Sequence, residues 1–294
     1  MKAGFVAIVG VPNAGKSTLM NLLIGEKVSI VTPKAQTTRQ RITGILNAQG
    51  AQMVFVDAPG LIQAKAGLNK FLAEEAHDVI SKADAVIALL PADSSPESAK
   101  KVLQSVRSGT KKWIVLITKA DLLKGTQTPL FFKDLMEEQI PFVSISALTR
   151  PDEAREEILR RVIDLLPETK APLFDEELYT TQTVRQMTAE IIRERCFENL
   201  HQEIPYSLAI LIREFKEDLP ILKISAEILV EKDGHKGIVI GAKGATLKKI
   251  GSEARQKLEL LLERQVFLEL HVTVKKDWSE NKQLMKELGY VLRN

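Results

Sequence analysis

Residues 10–18 read Gly-Val-Pro-Asn-Ala-Gly-Lys-Ser-Thr, in which Gly10, Gly15, Lys16 and Ser17 satisfy the pattern G-x-x-x-x-G-K-[ST]. An apolar run, Phe5 to Val9, precedes it and a helical pattern, Ser17 to Ile24, follows, which is the strand, loop and helix order the pattern requires. Glycines let the backbone wrap closely round an anion, so that successive N–H groups and the helix N-terminus face it. Lys16 then neutralises β- and γ-phosphate oxygens and Ser17 ligates Mg²⁺. The expectation is a nucleoside triphosphate site in which Gly10, Asn13, Ala14, Gly15, Lys16, Ser17 and Thr18 contact the nucleotide.

Four further short patterns follow, each weak alone. Asp57-Ala-Pro-Gly60 closes the run Met53 to Val56, placing a carboxylate near the metal and a glycine N–H within reach of the γ-phosphate. Thr118-Lys119-Ala120-Asp121 ends the run Trp113 to Ile117, and Ser146-Ala147-Leu148 ends the run Phe142 to Ile145. Between the first motif and Asp57 lies Gln36-Thr37-Thr38-Arg39-Gln40. The shared position of the first three, at the ends of strand candidates, separates them from chance matches.

In this order the motifs resemble those of the translation-factor class of GTPases. The resemblance implies GTP and GDP as ligands, with Mg²⁺ held by Ser17, Thr38 and Asp57. It implies that Asp121 accepts from the ring N1–H and the exocyclic amino group of guanine, where adenine presents a bare acceptor. A carboxylate facing an acceptor is penalised, so discrimination can be large. Lys119 would lie along the base plane, and Ser146, Ala147 and Leu148 would close the site, with the Ala147 N–H on the guanine oxygen. Thr118 stands where the pattern usually has Asn, which predicts weaker nucleotide binding with specificity retained. Thr38 matches the switch threonine that meets Mg²⁺ and the γ-phosphate only in the triphosphate state.

After Gly60, where Ras-like enzymes carry a water-orienting Gln, stands Leu61, which cannot orient water. Slow intrinsic hydrolysis is therefore expected, with the transferring phosphoryl group met by Lys16, Mg²⁺, Thr38 and the Gly60 N–H. Asn13 matches an asparagine that, in several relatives with a hydrophobic residue after the glycine, holds a K⁺ ion. The resemblance thus implies turnover faster in K⁺ than in Na⁺.

These residues need a scaffold. The chain has 294 residues, 45% hydrophobic and 27% charged, with 41 Lys plus Arg against 38 Asp plus Glu and a formal net charge of +3. That is an ordinary soluble composition, long enough for about two domains at ~100 to 200 residues each. No apolar run approaches the ~18 residues of a membrane span, which points to the cytoplasm. Cys196 alone allows no internal disulfide, and His77, His201, His235 and His271 are scattered and given no catalytic role. In the first half, short runs apolar on both faces alternate with helical patterns, which predicts an α/β domain with a mostly parallel sheet and helices on both faces. Ligand then sits at the carboxyl ends of the strands.

Pro167 and Pro172 bracket a break in the helical pattern, and the division expected is residues 1–168 for the nucleotide domain, 169–180 for a linker and 181–294 for a smaller α+β domain. The second part reads as a helix (184–200), strands at 207–215 and 222–231, a glycine-punctuated segment, a helix (245–263) and a strand (267–274). The stretch 232–257 carries Lys232, Lys236, Lys243, Lys248, Lys249, Arg255 and Lys257 against Asp233 and Glu253. Within it, Ile240-Gly241-Ala242-Lys243-Gly244 precedes the long helix. The order resembles a type II KH fold, whose loop grips about four nucleotides of single-stranded RNA. RNA contacts are expected from Ile240, Gly241, Ala242, Lys243, Gly244, Lys248 and Lys249.

The whole chain is similar to the Era family of bacterial ribosome-assembly GTPases, through Gln-Thr-Thr-Arg, Ile-Gly-Ala-Lys-Gly, Glu190-Ile-Ile-Arg-Glu194, Pro205-Tyr206-Ser207, Trp278 and Leu288-Gly289-Tyr290. The resemblance implies a monomer that binds the 3′ end of 16S rRNA, assists maturation of the 30S subunit and associates peripherally with the inner membrane. A coupling is expected in which GTP orders the switch segment and alters packing near 167–172, exposing or covering the glycine loop. Two alternatives stay open: a metabolite kinase, against which Lys119 and Asp121 argue, and a switch whose second domain docks a protein or the membrane instead of RNA.

Overall fold

The computed structural model describes residues 1–291 apart from 33, 35–36, 62–65, 110–111, 124–127, 147–150 and 219. The chain forms two compact units, Met1–Lys65 with Asn69–Thr181, and Ala66–Leu68 with Gln182–Asn294. The first unit holds β1 (Lys2–Gly10), α1 (Lys16–Ile24), β2 (Ile42–Ala48), β3 (Ala51–Asp57), most of α2 (Gly67–Lys82), β4 (Ala85–Pro91), α3 (Pro96–Gly109), β5 (Trp113–Thr118), α4 (Phe132–Glu137), β6 (Phe142–Ser144) and α5 (Pro151–Leu165). Its strands form one sheet in the order β2-β3-β1-β4-β5-β6. All neighbours pair in parallel except β2 and β3.

Alternation along the strands explains the two layers of helices. On β1, Val6 and Ile8 face a core completed by Leu19, Met20 and Leu23 of α1 and Ile158 and Val162 of α5. Ala7 and Val9 face the other core, with Val79 and Ile80 of α2, Val102 and Val106 of α3 and Leu135 of α4. Because both faces are covered, successive residues are apolar, which is why these strands read as continuous runs.

β2 carries no such run and is absent from the sequence reading. It is an edge strand, and Thr43, Gly44 and Asn47 interrupt its apolar positions. Residues 169–180, expected to be a linker, instead lie along the first unit. The Gln52 carboxamide, fully buried, accepts from the Leu173 and Phe174 N–H groups (2.7 and 2.9 Å) and donates to the Phe174 carbonyl (2.8 Å). The Ile45 N–H donates to the Tyr179 carbonyl and the Thr180 hydroxyl to the Thr43 carbonyl. An open sheet edge leaves backbone groups unpaired, and this strap satisfies part of that edge.

The second unit contains α6 (Val184–Asn199), β7 (Leu208–Lys216), β8 (Leu222–Val230), α7 (Asp233–Ile240), α8 (Ala245–Leu262), β9 (Val266–Val274) and α9 (Lys282–Glu287). Thr183 and Gln186 form a reciprocal cap that starts α6. β7 and β8 are antiparallel and β8 and β9 parallel, giving a three-stranded sheet whose core includes Ile192 and Cys196 of α6, Val239 of α7 and Ile250, Ala254 and Leu258 of α8. The glycine-punctuated segment is a two-turn helix, α7, despite Gly234 and Gly237. Burial of His235 and Val239 holds it, and His235 Nδ1 lies 3.1 Å from the Ser207 hydroxyl. Some of the residues quoted for the family likeness are structural here: the Trp278 indole N–H donates to the Ser207 carbonyl, and buried Arg193 pairs with Glu190.

Candidate nucleotide site and glycine loop

β1, β3, β5 and β6 are parallel, so their following loops meet at one end of the first unit. There a cleft of about 500 Å³ is lined by Asn13, Ala14, Gly15, Lys16, Ser17, Thr18, Thr37, Thr38, Gly60, Thr118, Lys119 and Asp121, together with Ile30, Val31 and Thr32. The loop between β1 and α1 turns through positive φ at Asn13 (62°) and Gly15 (91°), and the second of these favours a residue without a Cβ. Gly10 ends β1 behind the cleft.

Lys16 is buried, its amine on the Gly10 and Val11 carbonyls at 3.4 and 3.2 Å. Burial lowers its pKa from the ordinary lysine value, opposed by the nearby Asp57. Asp57 is fully buried at the end of β3. Its pKa is raised by burial, against the pull of Lys16 and of the Ser17, Ser29 and Thr38 hydroxyls. Oδ2 takes those three hydroxyls at 2.7, 3.1 and 3.2 Å, while Oδ1 has no hydrogen-bond partner among the described residues. Ser17 and Thr38 hydroxyl oxygens lie 3.1 Å apart. A buried carboxylate with an open oxygen beside two hydroxyls is an all-oxygen donor set. It suits a hard cation that takes few protein ligands and completes its shell with water and phosphate.

At the base end, the Thr118 hydroxyl donates to the Ala14 carbonyl at 2.9 Å, so the residue that departs from the usual Asn still ties β5 to the phosphate loop. Lys119 sits in the left-handed region (φ 57°) with its amine 3.7 Å from Asp93. Asp121 is exposed, not buried, and its Oδ1 accepts from the Ser146 hydroxyl at 2.7 Å. Ser146 itself stands behind Asp121, and Ala147, Leu148 and Gln36 lie outside the described residues. Leu61 packs against the core on the α2 and α3 side of the sheet, away from the cleft.

Three groups here escaped the sequence reading. Ser29 bonds Asp57, and Asn21 of α1 holds Ser29. Arg41, just past the switch segment, donates to Glu75 of α2 at 2.7 and 3.1 Å and to Asp78 at 2.6 Å. None belongs to a motif. The one available signal was charge, an Arg closing a segment that a helix with three acids follows.

In the second unit, Gly241-Ala242-Lys243-Gly244 joins α7 to α8. Gly241 has φ 73°, Lys243 φ 51° and Gly244 φ 79°, and the N-terminus of α8 opens at Ala245. Ala242, Lys243, Lys248 and Lys249 are exposed, Ile240 half-buried. Lys249 lies 3.8 Å from Glu253. Beside the loop a groove of about 400 Å³ runs between Gly244, Leu247, Lys248 and Gly251 of the loop and α8 and Leu268 and Leu270 of β9. Backbone donors, exposed cations and an apolar trough form one surface. No helix among the described residues is long and apolar enough to cross a membrane.

A phosphate-cradling loop at the end of a mostly parallel sheet, joined in one chain to a helix-flanked sheet with a glycine loop, defines a P-loop GTPase domain followed by a KH domain. Family descriptions agree: "50S ribosome-binding GTPase" matches residues 5–119 and "KH domain" residues 203–279. GTPase Era of Geotalea daltonii is 43% identical over 98% of this chain and 97% of its own length, and that of Geobacter metallireducens is 43% identical over 98% of each. The chain belongs to the GTPase Era family. A point variant of Aquifex aeolicus Era bound to GDP·AlF4⁻ superposes with a TM-score of 0.92, at 38% identity over 99% of this chain and 100% of that one. Era in complex with MgGDPNP and nucleotides 1506–1542 of 16S ribosomal RNA superposes at 0.93, with the same identity and coverage.

Proposed function

We propose that this protein hydrolyses GTP to GDP and phosphate and uses the bound nucleotide to control binding of the 3′ end of 16S rRNA by its second unit during maturation of the 30S subunit. The observation that carries the reading is the pairing, in one chain, of the Asp57–Ser17–Thr38 cluster with the loop at Gly241 to Gly244. A relative superposable over nearly the full chain carries both MgGDPNP and that RNA.

In this reading the loop from Gly10 to Thr18 holds the phosphates, Lys16 leaves the carbonyls it now contacts to meet the β and γ oxygens, and Asp121 selects guanine. Ser17, Thr38 and Asp57 would hold Mg²⁺, which neutralises charge on the transferring phosphoryl group. Thr38 and the Gly60 N–H report the presence of the γ-phosphate. Leu61 turns into the core, so no side chain at that position orients the attacking water. Asn13, which lines the cleft at positive φ, would hold K⁺ in this reading, with the family likeness as its support. Hydrolysis several-fold faster in K⁺ than in Na⁺, with the difference lost in Asn13→Ala, is the expected outcome. Equal rates in the two salts remove the K⁺ role.

The nucleotide domain extends over residues 1–168 with the strap 169–180 as its extension, and the KH domain over 181–294. The protein acts as a cytoplasmic monomer. Peripheral inner-membrane association has the family likeness as its support, and co-flotation with anionic vesicles tests it. The RNA reading is tested by fluorescence anisotropy of a labelled RNA carrying the 16S 3′ tail, against a scrambled RNA, in GDP and in a non-hydrolysable GTP analogue. Selective binding that tightens with the analogue supports it. Loss of selectivity in both states overturns the RNA half and leaves the protein- or membrane-docking alternative.

A further inference from the structure

Three hydroxyls meet Asp57 Oδ2, and they are not equivalent. Those of Ser17 and Thr38 are the side chains assigned above to Mg²⁺, and Thr38 belongs to the segment whose place depends on the γ-phosphate. Ser29 has neither duty. It is 2% exposed and donates to Asp57 at 3.1 Å, yet it lies in no helix or strand.

What fixes Ser29 is Asn21, one turn beyond Ser17 on the same face of α1. Asn21 Oδ1 accepts from the Val28 and Ser29 N–H groups at 3.0 and 2.9 Å, and its Nδ2 donates to the Ser29 carbonyl at 2.8 Å. One side chain thus satisfies three backbone groups of an irregular segment. Val28 and Ile30, on either side, are 5% and 4% exposed, so apolar contacts hold the same turn. From it the chain departs into Ile30, Val31 and Thr32, which line the cleft.

We propose that Asn21 and Ser29 form a brace, independent of the nucleotide state, that orients Asp57 toward Mg²⁺. Asn21 is a positioning residue that acts through Ser29. The inference rests on the GTP-switch reading above and adds an asymmetry to it. In the triphosphate state Thr38 and the phosphate also restrain the metal site. After hydrolysis Thr38 is released, and the brace becomes the chief restraint on Asp57 besides Ser17. Loss of one hydrogen bond to a buried charged group weakens an equilibrium by about tenfold or more, and here that loss falls on Mg²⁺ retention in the GDP state.

The test is release of a fluorescent GDP from the full chain as a function of free Mg²⁺, for the wild type, Ser29→Ala, Asn21→Ala and the double variant, repeated with a non-hydrolysable GTP analogue. The brace predicts that each single variant raises the Mg²⁺ concentration for half-maximal slowing of GDP release by about tenfold. It predicts a smaller shift with the analogue, a double variant no worse than Asn21→Ala, and unchanged release in excess chelator. Release accelerated equally with and without Mg²⁺ would mean a loosened pocket and overturn the brace, as would an unshifted midpoint, equal shifts with the two nucleotides or additive single effects. If Asn21→Ala does not fold, Ser29→Ala carries the test alone. A wild type that binds no guanine nucleotide defeats the GTP reading itself; a wild type with Mg²⁺-dependent release and variants that match it defeats only the brace.

Discussion

In the proposed reading a single carboxylate, that of Asp121, decides which base is accepted, and its geometry allows that role to be reversed. Oδ1 is already engaged by the Ser146 hydroxyl, and the residue is exposed at the rim of the cleft. In Asp121→Asn, the amide presents one acceptor and one donor where guanine offers two donors. Xanthine, with a carbonyl in place of the exocyclic amine, matches it. The expected result is loss of GTP binding by at least ~100-fold and gain of xanthosine triphosphate binding, checked by competition against a fluorescent nucleotide. Cys196 stands at the other extreme, its thiol pushed up to about 12 by burial in the α6 core, with nearby Arg193 opposing. With so little thiolate, it should resist iodoacetamide at mildly alkaline pH while the protein is folded and react once the protein is denatured, as mass spectrometry would record. Alkylation in the native state at the rate of a free thiol would show that the α6 core opens. The site was legible wherever chemistry demands fixed spacing, from Gly10 to Ser17 and at Asp57, Thr38 and Asp121. Asn21, Ser29 and Arg41 were not, because their roles come from hydrogen bonds made only once the chain has folded.

The elements divide by the same logic. Strands β1, β3, β4 and β5 announce themselves because helices cover both faces and leave few polar positions. β2 is hidden by its place at the edge, and the strap after Pro167 is hidden because what captures it is Gln52, a polar residue inside an apolar run. Strap and edge strand are one device: Gln52 reaches past Asn47 of β2 to two backbone N–H groups and a carbonyl, while Tyr179 and Thr180 dock on Ile45 and Thr43. Phe174 adds an edge-to-face contact with Phe5 of β1 at 6.2 Å. Gln52→Ala leaves those part-buried backbone groups of Leu173 and Phe174 without their side-chain partner, at a cost of up to about 1 to 3 kcal/mol each where water cannot enter. Freeing the strap relieves most of that cost. The variant should therefore lose only a few degrees of thermal stability while becoming sensitive to proteolysis between Thr169 and Thr181, read by mass mapping of a limited digest. A digest pattern identical to that of the wild type would mean the edge contacts alone hold the strap.

At the scale of the molecule, two units of unlike chemistry share one chain, and each has a glycine turn that a Cβ would spoil. The second unit offers the cleaner separation of functions. At Gly241 φ is 73°, and an added Cβ would lie 2.2 Å from the Thr246 hydroxyl oxygen and 2.8 Å from its Cβ. A substituted Gly241 must shift, and with it the exposed Lys243 and the Gly244 turn that borders the groove. At Gly244 φ is 79° but nothing lies within 4 Å, so Gly244→Ala meets backbone strain without a clash. The order of damage to RNA binding should be Gly241→Ala, about tenfold or more, above Gly244→Ala, with GTP hydrolysis in the absence of RNA unchanged in both. If the loop grips about four nucleotides, the wild-type affinity should also fall with salt at a log–log slope of roughly −3, and Lys243→Ala should flatten it by about 0.7. A slope near zero would mean the groove takes a partner without phosphates. Altered hydrolysis in Gly241→Ala without RNA would mean that the loop acts on the nucleotide site directly, and not only through the RNA it holds.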